Sequence, residues 1–236
     1  MYYGIDYYYI ILVLPAILVS LFAQVKVNST FSKYSKISNR RGFTGSEVAR
    51  RILDMNGLHN VVIEHVKGNL SDHYDPKTRV LRLSDSVFSS RSVAALGVAA
   101  HECGHAIQHA TQYSPLKIRH AIFPVVNFSS AAAVPVIIMG FLFNTPVLVN
   151  VGIILFASVV LFQLVTLPVE FNASKRALEI LEQSNFLGDS SLDDTSEIKS
   201  AKKVLWAAAL TYVAAALVSI MQLLRLILIA NNNRRD

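Results

Sequence analysis

The sequence predicts a mainly α-helical, polytopic membrane protein with about four transmembrane helices, a metal-binding helix and a small β-hairpin. Three observations point there. The 236-residue chain is 53% hydrophobic and only 16% charged, too apolar a balance for an ordinary soluble domain. Its apolar residues gather into runs near 7–25, 118–143, 146–167 and 204–224, each about long enough to cross a bilayer as a helix. Between the first two runs stands His101-Glu102-Cys103-Gly104-His105, two histidines at i and i+4 with a carboxylate beside the first. The length suits one domain, 1–236, with soluble parts at about 26–117 and 168–203.

The run at 7–25 opens on a tyrosine cluster, as an interfacial belt does. Asp6 stands where a cleaved signal peptide would carry basic residues, which argues for a retained span. Residues 26–41 are polar, Ser-rich and basic and read as a membrane-proximal linker. Thr44-Gly45-Ser46-Glu47 is a capping box, Val48, Ile52 and Met55 make one apolar stripe, and Gly57 supplies a stop; together they predict a short helix. Residues 61–66 and 79–84 read as strands, with a turn at Asp75-Pro76-Lys77-Thr78 between them. A hairpin there offers either a cover for the next helix or an edge along which an extended peptide adds as a strand.

Ser89 or Ser90 can cap the helix that carries the two histidines. Asn144-Thr145-Pro146 turns the run at 118–143 into the run at 146–167, making a transmembrane hairpin. That hairpin returns the chain after Leu167 to the side on which His101 and His105 lie. Residues 168–203 are polar again, expected to be helical from Pro168 to near Gly188 and then to form an acidic loop at 189–197. Trp206 sits near one interface of the last run, and Arg225 is placed to snorkel at its far end.

On a helix, His101 and His105 lie about 40° apart around the axis and about 6 Å apart along it. Both imidazoles can therefore reach one Zn²⁺, with Glu102 beside them as a base for a metal-activated water. A catalytic zinc takes a third protein ligand. Glu170 is the best candidate, since a carboxylate at the end of an apolar run is costly unless paired or metal-bound. His109, the rival, continues the histidine row but lies about 12 Å from His101 on a straight helix, too far to share a zinc at about 2 Å bonds. Cys103 points off the histidine face and reads as a small packing residue. It is the one cysteine in the chain, so an intrachain disulfide is excluded. The net charge of +6 comes from Lys and Arg flanking apolar runs, and no aromatic–basic interleaving or nucleic-acid motif is present, so nucleic acid is not expected as a partner.

Through Ala99-Ala100-His101-Glu102-Cys103-Gly104-His105-Ala106-Ile107-Gln108, Pro168-Val169-Glu170-Phe171-Asn172-Ala173-Ser174 and Asp72-His73-Tyr74-Asp75-Pro76, the chain resembles the YugP-type neutral zinc metallopeptidases of bacterial membranes over nearly its whole length. It is more distantly similar to the HtpX and CAAX-prenyl-protease group of integral-membrane gluzincins. In that group a Glu-Phe/Tyr-x-Ala-Asp motif supplies the third zinc ligand through its Glu, which implies Glu170 here. The motif's Asp is replaced by Ser174, so a role for that Asp around the ligands does not carry over directly.

The expected activity is hydrolysis of peptide bonds with Zn²⁺ held by His101, His105 and Glu170 and with Glu102 as general base. His73, Tyr74 and Asn172 are candidate contacts to substrate or to the transition state. The alternative is a catalytically silent, zinc-stabilised membrane scaffold or adaptor. A metal transporter would carry carboxylates along its spans; the runs instead hold Asn127, Gln163 and Gln222. Expected partners are a peptide or membrane-protein substrate, the lipid bilayer, and a membrane partner protein or a second copy of the chain. Both ligand-bearing segments are basic, whereas the N-terminal segment and the hairpin turn lack Lys and Arg. This puts the site on the cytoplasmic side of a cell membrane and both termini outside, with the tail residues Arg234 and Arg235 as a minor contrary signal.

Overall fold

Helices account for most of the chain in the computed structural model, which describes residues 6–188 and 196–232. A π-helical turn, Tyr9–Val13, leads into α1, Leu14–Tyr34; α2 is Gly45–Met55, α3 Val93–Ala110, α4 Ser114–Leu142, α5 Pro146–Gln183 and α6 Glu197–Asn232. Four helices, Tyr9–Tyr34, Ser114–Leu142, Pro146–Gln183 and Glu197–Asn232, are long and apolar enough to cross a membrane. Most of the acidic segment at 189–197 and the tail with Arg234 and Arg235 lie outside the described residues.

The chain divides into two compact units. One is formed by residues up to Gln24, Lys117–Pro168 and the chain from Leu210 onward. Its large apolar side chains face outward: Phe22, Phe128 and Ile154 are 65%, 69% and 69% exposed, as lipid-facing residues are. Between α4 and α5 the chain turns at Asn144 (φ 49°), and a side chain on Gly140 or Gly152 would run into Val149 or Ile137. Small residues thus let the two helices of this hairpin approach closely. Pro124 and Pro135 sit inside α4 and Pro168 inside α5 without ending either helix; a chain with no water to turn to keeps its remaining backbone bonds. Arg225 does not reach for water as the sequence suggested. Its Nε donates to Asp6 Oδ2 at 2.8 Å, its Nη2 pairs with the same oxygen, and its guanidinium stands 5.3 Å from the Tyr9 ring centroid. In apolar surroundings two opposite charges within reach satisfy each other.

The other unit, Val25–Leu116 with Val169–Ala209, has the larger polar share and its own core. Thr44 caps α2 through the complete capping box, and Gly57 follows at φ +70°. Val48 and Ile52 are fully buried, joined by Ala49 and Leu53, whereas Met55 is 64% exposed; the buried stripe of α2 runs through 49 and 53 rather than out to 55. Helix α1 continues through the segment expected to be a linker, because Phe31 and Tyr34, one turn apart, enter this core. Likewise α6 starts before the apolar run proper, with Ala201, Val204 and Leu205 buried.

The strands are β1, Val62–Val66; β2, His73–Asp75; and β3, Val80–Ser84. They form a three-stranded sheet in the order β1-β3-β2. The turn after Asp75 joins β2 to β3 antiparallel, with His73 opposite Arg82 and Asp75 opposite Val80. The two strands read from the sequence, β1 and β3, pair in parallel, Val62 opposite Val80 through Val66 opposite Ser84. The hairpin is therefore β2–β3, and β2 is too short and polar to announce itself by alternation. Asp72 fixes its entry: Oδ1 accepts from the Ser84 backbone N–H at 2.7 Å and Oδ2 from the Ser84 hydroxyl at 2.9 Å. Burial raises the Asp72 carboxyl above the usual range, against the pull of these bonds. Leu81 and Leu83 of the central strand are fully buried, and both outer strands present an edge.

Candidate metal centre

Ser92, not Ser89 or Ser90, caps α3: its Oγ accepts from the Ala95 N–H at 3.1 Å, and the Ser90 hydroxyl donates to it at 3.0 Å. The helix is packed on most of its circumference by small residues, with Ala94, Ala95, Ala99 and Ala100 fully buried. Cys103 Sγ–H faces α2 and donates to Ala49 C=O at 3.6 Å. Burial pushes its thiol far above the ordinary range, so it carries no thiolate at neutral pH.

The opposite side of this turn carries His101 and His105. Their rings meet edge to face with centroids 4.8 Å apart. The two Nε2 atoms converge on Glu170 Oε2 of α5, at 3.3 Å from His101 and 3.5 Å from His105. One ligand atom from each of the three residues lies within 4.8 Å of the others. A zinc bonded at about 2.1 Å to three corners of a tetrahedron holds those corners about 3.4 Å apart. The two histidine–carboxylate separations match such corners, so two imidazoles and a carboxylate here fit a zinc ion. Glu102, next in the helix, is buried at 8% exposure.

The outer nitrogens of both imidazoles are also engaged. His105 Nδ1 lies 3.1 Å from Gln108 Oε1. The Gln108 amide nitrogen already donates to Val169 C=O at 2.8 Å and to Asn172 Oδ1 at 3.0 Å. Its oxygen must therefore accept, which puts the His105 proton on Nδ1 and leaves the Nε2 lone pair facing Glu170. Arg176 Nε donates to the same Asn172 oxygen at 2.8 Å. His101 Nδ1 lies 3.1 Å from Ser174 Oγ. Burial disfavours the charged form of His105, but the Glu170 and Glu102 carboxylates outweigh it and hold this imidazole above its usual pKa.

Helices α3 and α5 come this close because residue 104 is glycine. A Cβ there would stand 2.7 Å from Ala173 O and 3.1 Å from Ala173 Cα. The missing side chain thus makes room for the α5 backbone, one turn from Glu170.

The remaining sequence candidates are spread around this centre. Asn172 joins it through Gln108. Tyr74 OH lies 3.0 Å from His109 Nδ1, and burial raises the Tyr74 phenol. His73 is exposed on β2, its Nδ1 donating to Ser71 C=O at 2.9 Å. Gln108, Ser174 and Arg176 were not singled out for their contacts in the sequence. Their spacing does carry a signal: Gln108 follows His105 by three residues, Ser174 follows Glu170 by four and Arg176 follows Asn172 by four, each on a shared helix face.

The family described as "Putative neutral zinc metallopeptidase" matches residues 9–231. A Bacillus subtilis (strain 168) protein named "Putative membrane protease YugP" is 51% identical over 228 residues, covering 97% of this chain and 99% of that one. No solved structure matches.

Proposed function

The chain belongs to this neutral zinc metallopeptidase family, and from that premise we propose that it is a membrane-embedded, zinc-dependent endopeptidase with Glu102 as its general base. The observation that carries this is the convergence of His101 Nε2 and His105 Nε2 on Glu170 Oε2 at 3.3 and 3.5 Å. A structural zinc site closes its fourth position with Cys or His and needs no neighbouring base; this one offers neither ligand and places Glu102 beside His101.

In this reading His101, His105 and Glu170 hold the zinc. When bound, zinc supplies Lewis acidity that brings a water toward ionisation near neutral pH and polarises a peptide carbonyl. Glu102 takes the proton of the attacking water and later returns it to the leaving amine, so one carboxylate serves as base and then as acid. Gln108 and Ser174 keep the imidazoles turned inward, and Asn172 acts as a positioning residue behind Gln108. Tyr74, whose hydroxyl lies 3.0 Å from His109, is a proposed contact to the substrate away from the scissile bond, while the edges of the sheet give an extended peptide backbone partners. Residues 1–236 act as one domain, since α5 and α6 each contribute residues to both units. The site faces the cytoplasm, as the basic character of the ligand-bearing segments directs.

The test is Glu102→Gln in detergent-purified protein. Zinc content should stay at the wild-type level, whereas cleavage of a denatured protein substrate should fall by at least about a thousandfold, the upper part of what a general base contributes. Wild-type turnover in the variant would contradict the mechanism. Zinc binding without turnover in the wild type would favour the scaffold.

A further inference from the structure

One turn beyond His105, α3 borders a cavity of about 230 Å³. At about 30 Å³ per water this holds seven or eight waters, enough for one amino-acid side chain or a chain end. Its apolar lining comes from Leu58, Val61, Ala106 and Ala110, and its polar groups include Tyr74, Arg79 and His109. Arg79 is the one formally charged residue among its described lining residues; the Asp75 carboxylate, whose charge also acts on Tyr74, is not among them and accepts from the Lys77 N–H and the Thr78 hydroxyl.

Two lining residues have backbones that normally call for glycine. Arg79 closes the β2–β3 turn at φ 55°, and Gln112 follows the end of α3 at φ 55°. A left-handed residue with a long side chain is strained, and such strain gathers at ligand-binding positions. At both positions glycine would relieve the backbone and remove a polar group from the cavity. Here the chain keeps the polar group.

The cavity and the candidate metal centre share α3, through His109 on one side and the histidine pair on the other. His109 continues the row of His101 and His105, about 6 Å further along the axis than His105. An extended peptide advances about 3.3 Å per residue. A peptide bond held at the histidine pair therefore brings a residue about two to four positions away to the cavity.

We propose that this cavity is a specificity subsite for a carboxylate of the peptide substrate, bound by Arg79 with Tyr74 beside it. The inference rests on the peptidase reading and adds to it the class of peptide preferred. The carboxylate belongs either to an acidic side chain or to the substrate's C-terminus, two sources with the same chemistry for a guanidinium fork.

Binding and turnover are measured separately. Decapeptide pools carrying an uncharged BODIPY label are titrated against full-length, zinc-bound Glu102→Gln protein in detergent and read by fluorescence polarisation. One pool is amidated and free of Asp and Glu, one is amidated and contains them, and one has a free C-terminus without them. At least one carboxylate-bearing pool should bind about tenfold more tightly than the carboxylate-free pool. Adding Arg79→Gly, which suits the φ of this turn, should abolish that difference, and Arg79→Lys should keep part of it. The pool that gains identifies the source of the carboxylate. Equal binding of all pools, no binding of any, or a preference unmoved by Arg79→Gly would overturn the subsite. If carboxylate pools bind as expected but wild-type protein cleaves none of them, the subsite stands and the peptidase reading fails.

Discussion

Gln108 decides more about the metal centre than its place outside the ligand set suggests. Fully buried, it gives both amide protons away and so must accept from His105, fixing the tautomer in which Nε2 is free for a metal. Replacing it by Ala frees the imidazole to rotate and leaves Val169 C=O without its side-chain donor. Zinc affinity of Gln108→Ala, measured by competition with a chromophoric chelator, should fall about 10- to 100-fold. Wild-type affinity would show that His105 is held by other means. Ser174 illustrates what the sequence did and did not disclose at this scale. The departure from Asp to Ser was visible and left the role beside the ligands open. In three dimensions the hydroxyl, 3.1 Å from His101 Nδ1, occupies the place where an imidazole needs an outer partner. The three converging side chains were legible because burying a carboxylate or a histidine pair demands a reason that sequence spacing can supply. Their partners were less so, because Ser, Gln and Asn are common and helix spacing alone does not single them out from contacts that reach 61 to 73 residues along the chain.

Helix α3 and helix α5 meet through a glycine, and this contact sets the third donor against the first two. In Gly104→Ala the new methyl must displace the Ala173 backbone, 2.7 Å from its carbonyl oxygen, an overpacking that costs about 1–3 kcal/mol. The variant should lose zinc and melt at a lower temperature. Gly97→Ala on the same helix is the control: its nearest neighbour is Ala201 Cβ at 3.6 Å, an ordinary contact, and removing a helical glycine gains up to about 1 kcal/mol. Paired thermal melts and zinc titrations check both, and equal behaviour of the two variants would contradict this packing. At this scale hydropathy found all four long helices but misplaced their ends. It stops at Lys26, whereas α1 runs on to Tyr34, since Phe31 and Tyr34 bury one face of a polar segment that a window average cannot see. The sheet was half legible. The branched, apolar β1 and β3 announce themselves, but pairing is non-local, and β2 with its three polar-to-aromatic residues gives no periodic signal.

Across the whole molecule, charge placement governs orientation in the membrane. Lys and Arg cluster in the segments that carry the donor atoms, whereas the α4–α5 turn and the described N-terminal residues before Lys26 have none. By the positive-inside tendency, the proposed orientation has the candidate metal centre on the cytoplasmic side. A cysteine introduced at exposed Lys77 should stay unlabelled by a membrane-impermeant maleimide in intact spheroplasts and become labelled once the membrane is opened. Cys103 gives no background, being buried with its thiol held well above neutral pH. Labelling in intact spheroplasts would reverse the orientation. The pairing of Asp6 with Arg225 escaped the sequence because its members stand at opposite ends of the chain. Each has a routine explanation alone, as an argument against a signal peptide and as a snorkelling cation.

The proposed function depends on three donors from two distant parts of the chain sharing one ion. The most direct measurement is zinc per chain in purified wild type and in Glu170→Ala, with helix content followed in parallel by circular dichroism. About one zinc per wild-type chain, with a marked loss in a variant of unchanged helicity, is the predicted result. Full zinc retention in Glu170→Ala would contradict the three-donor centre.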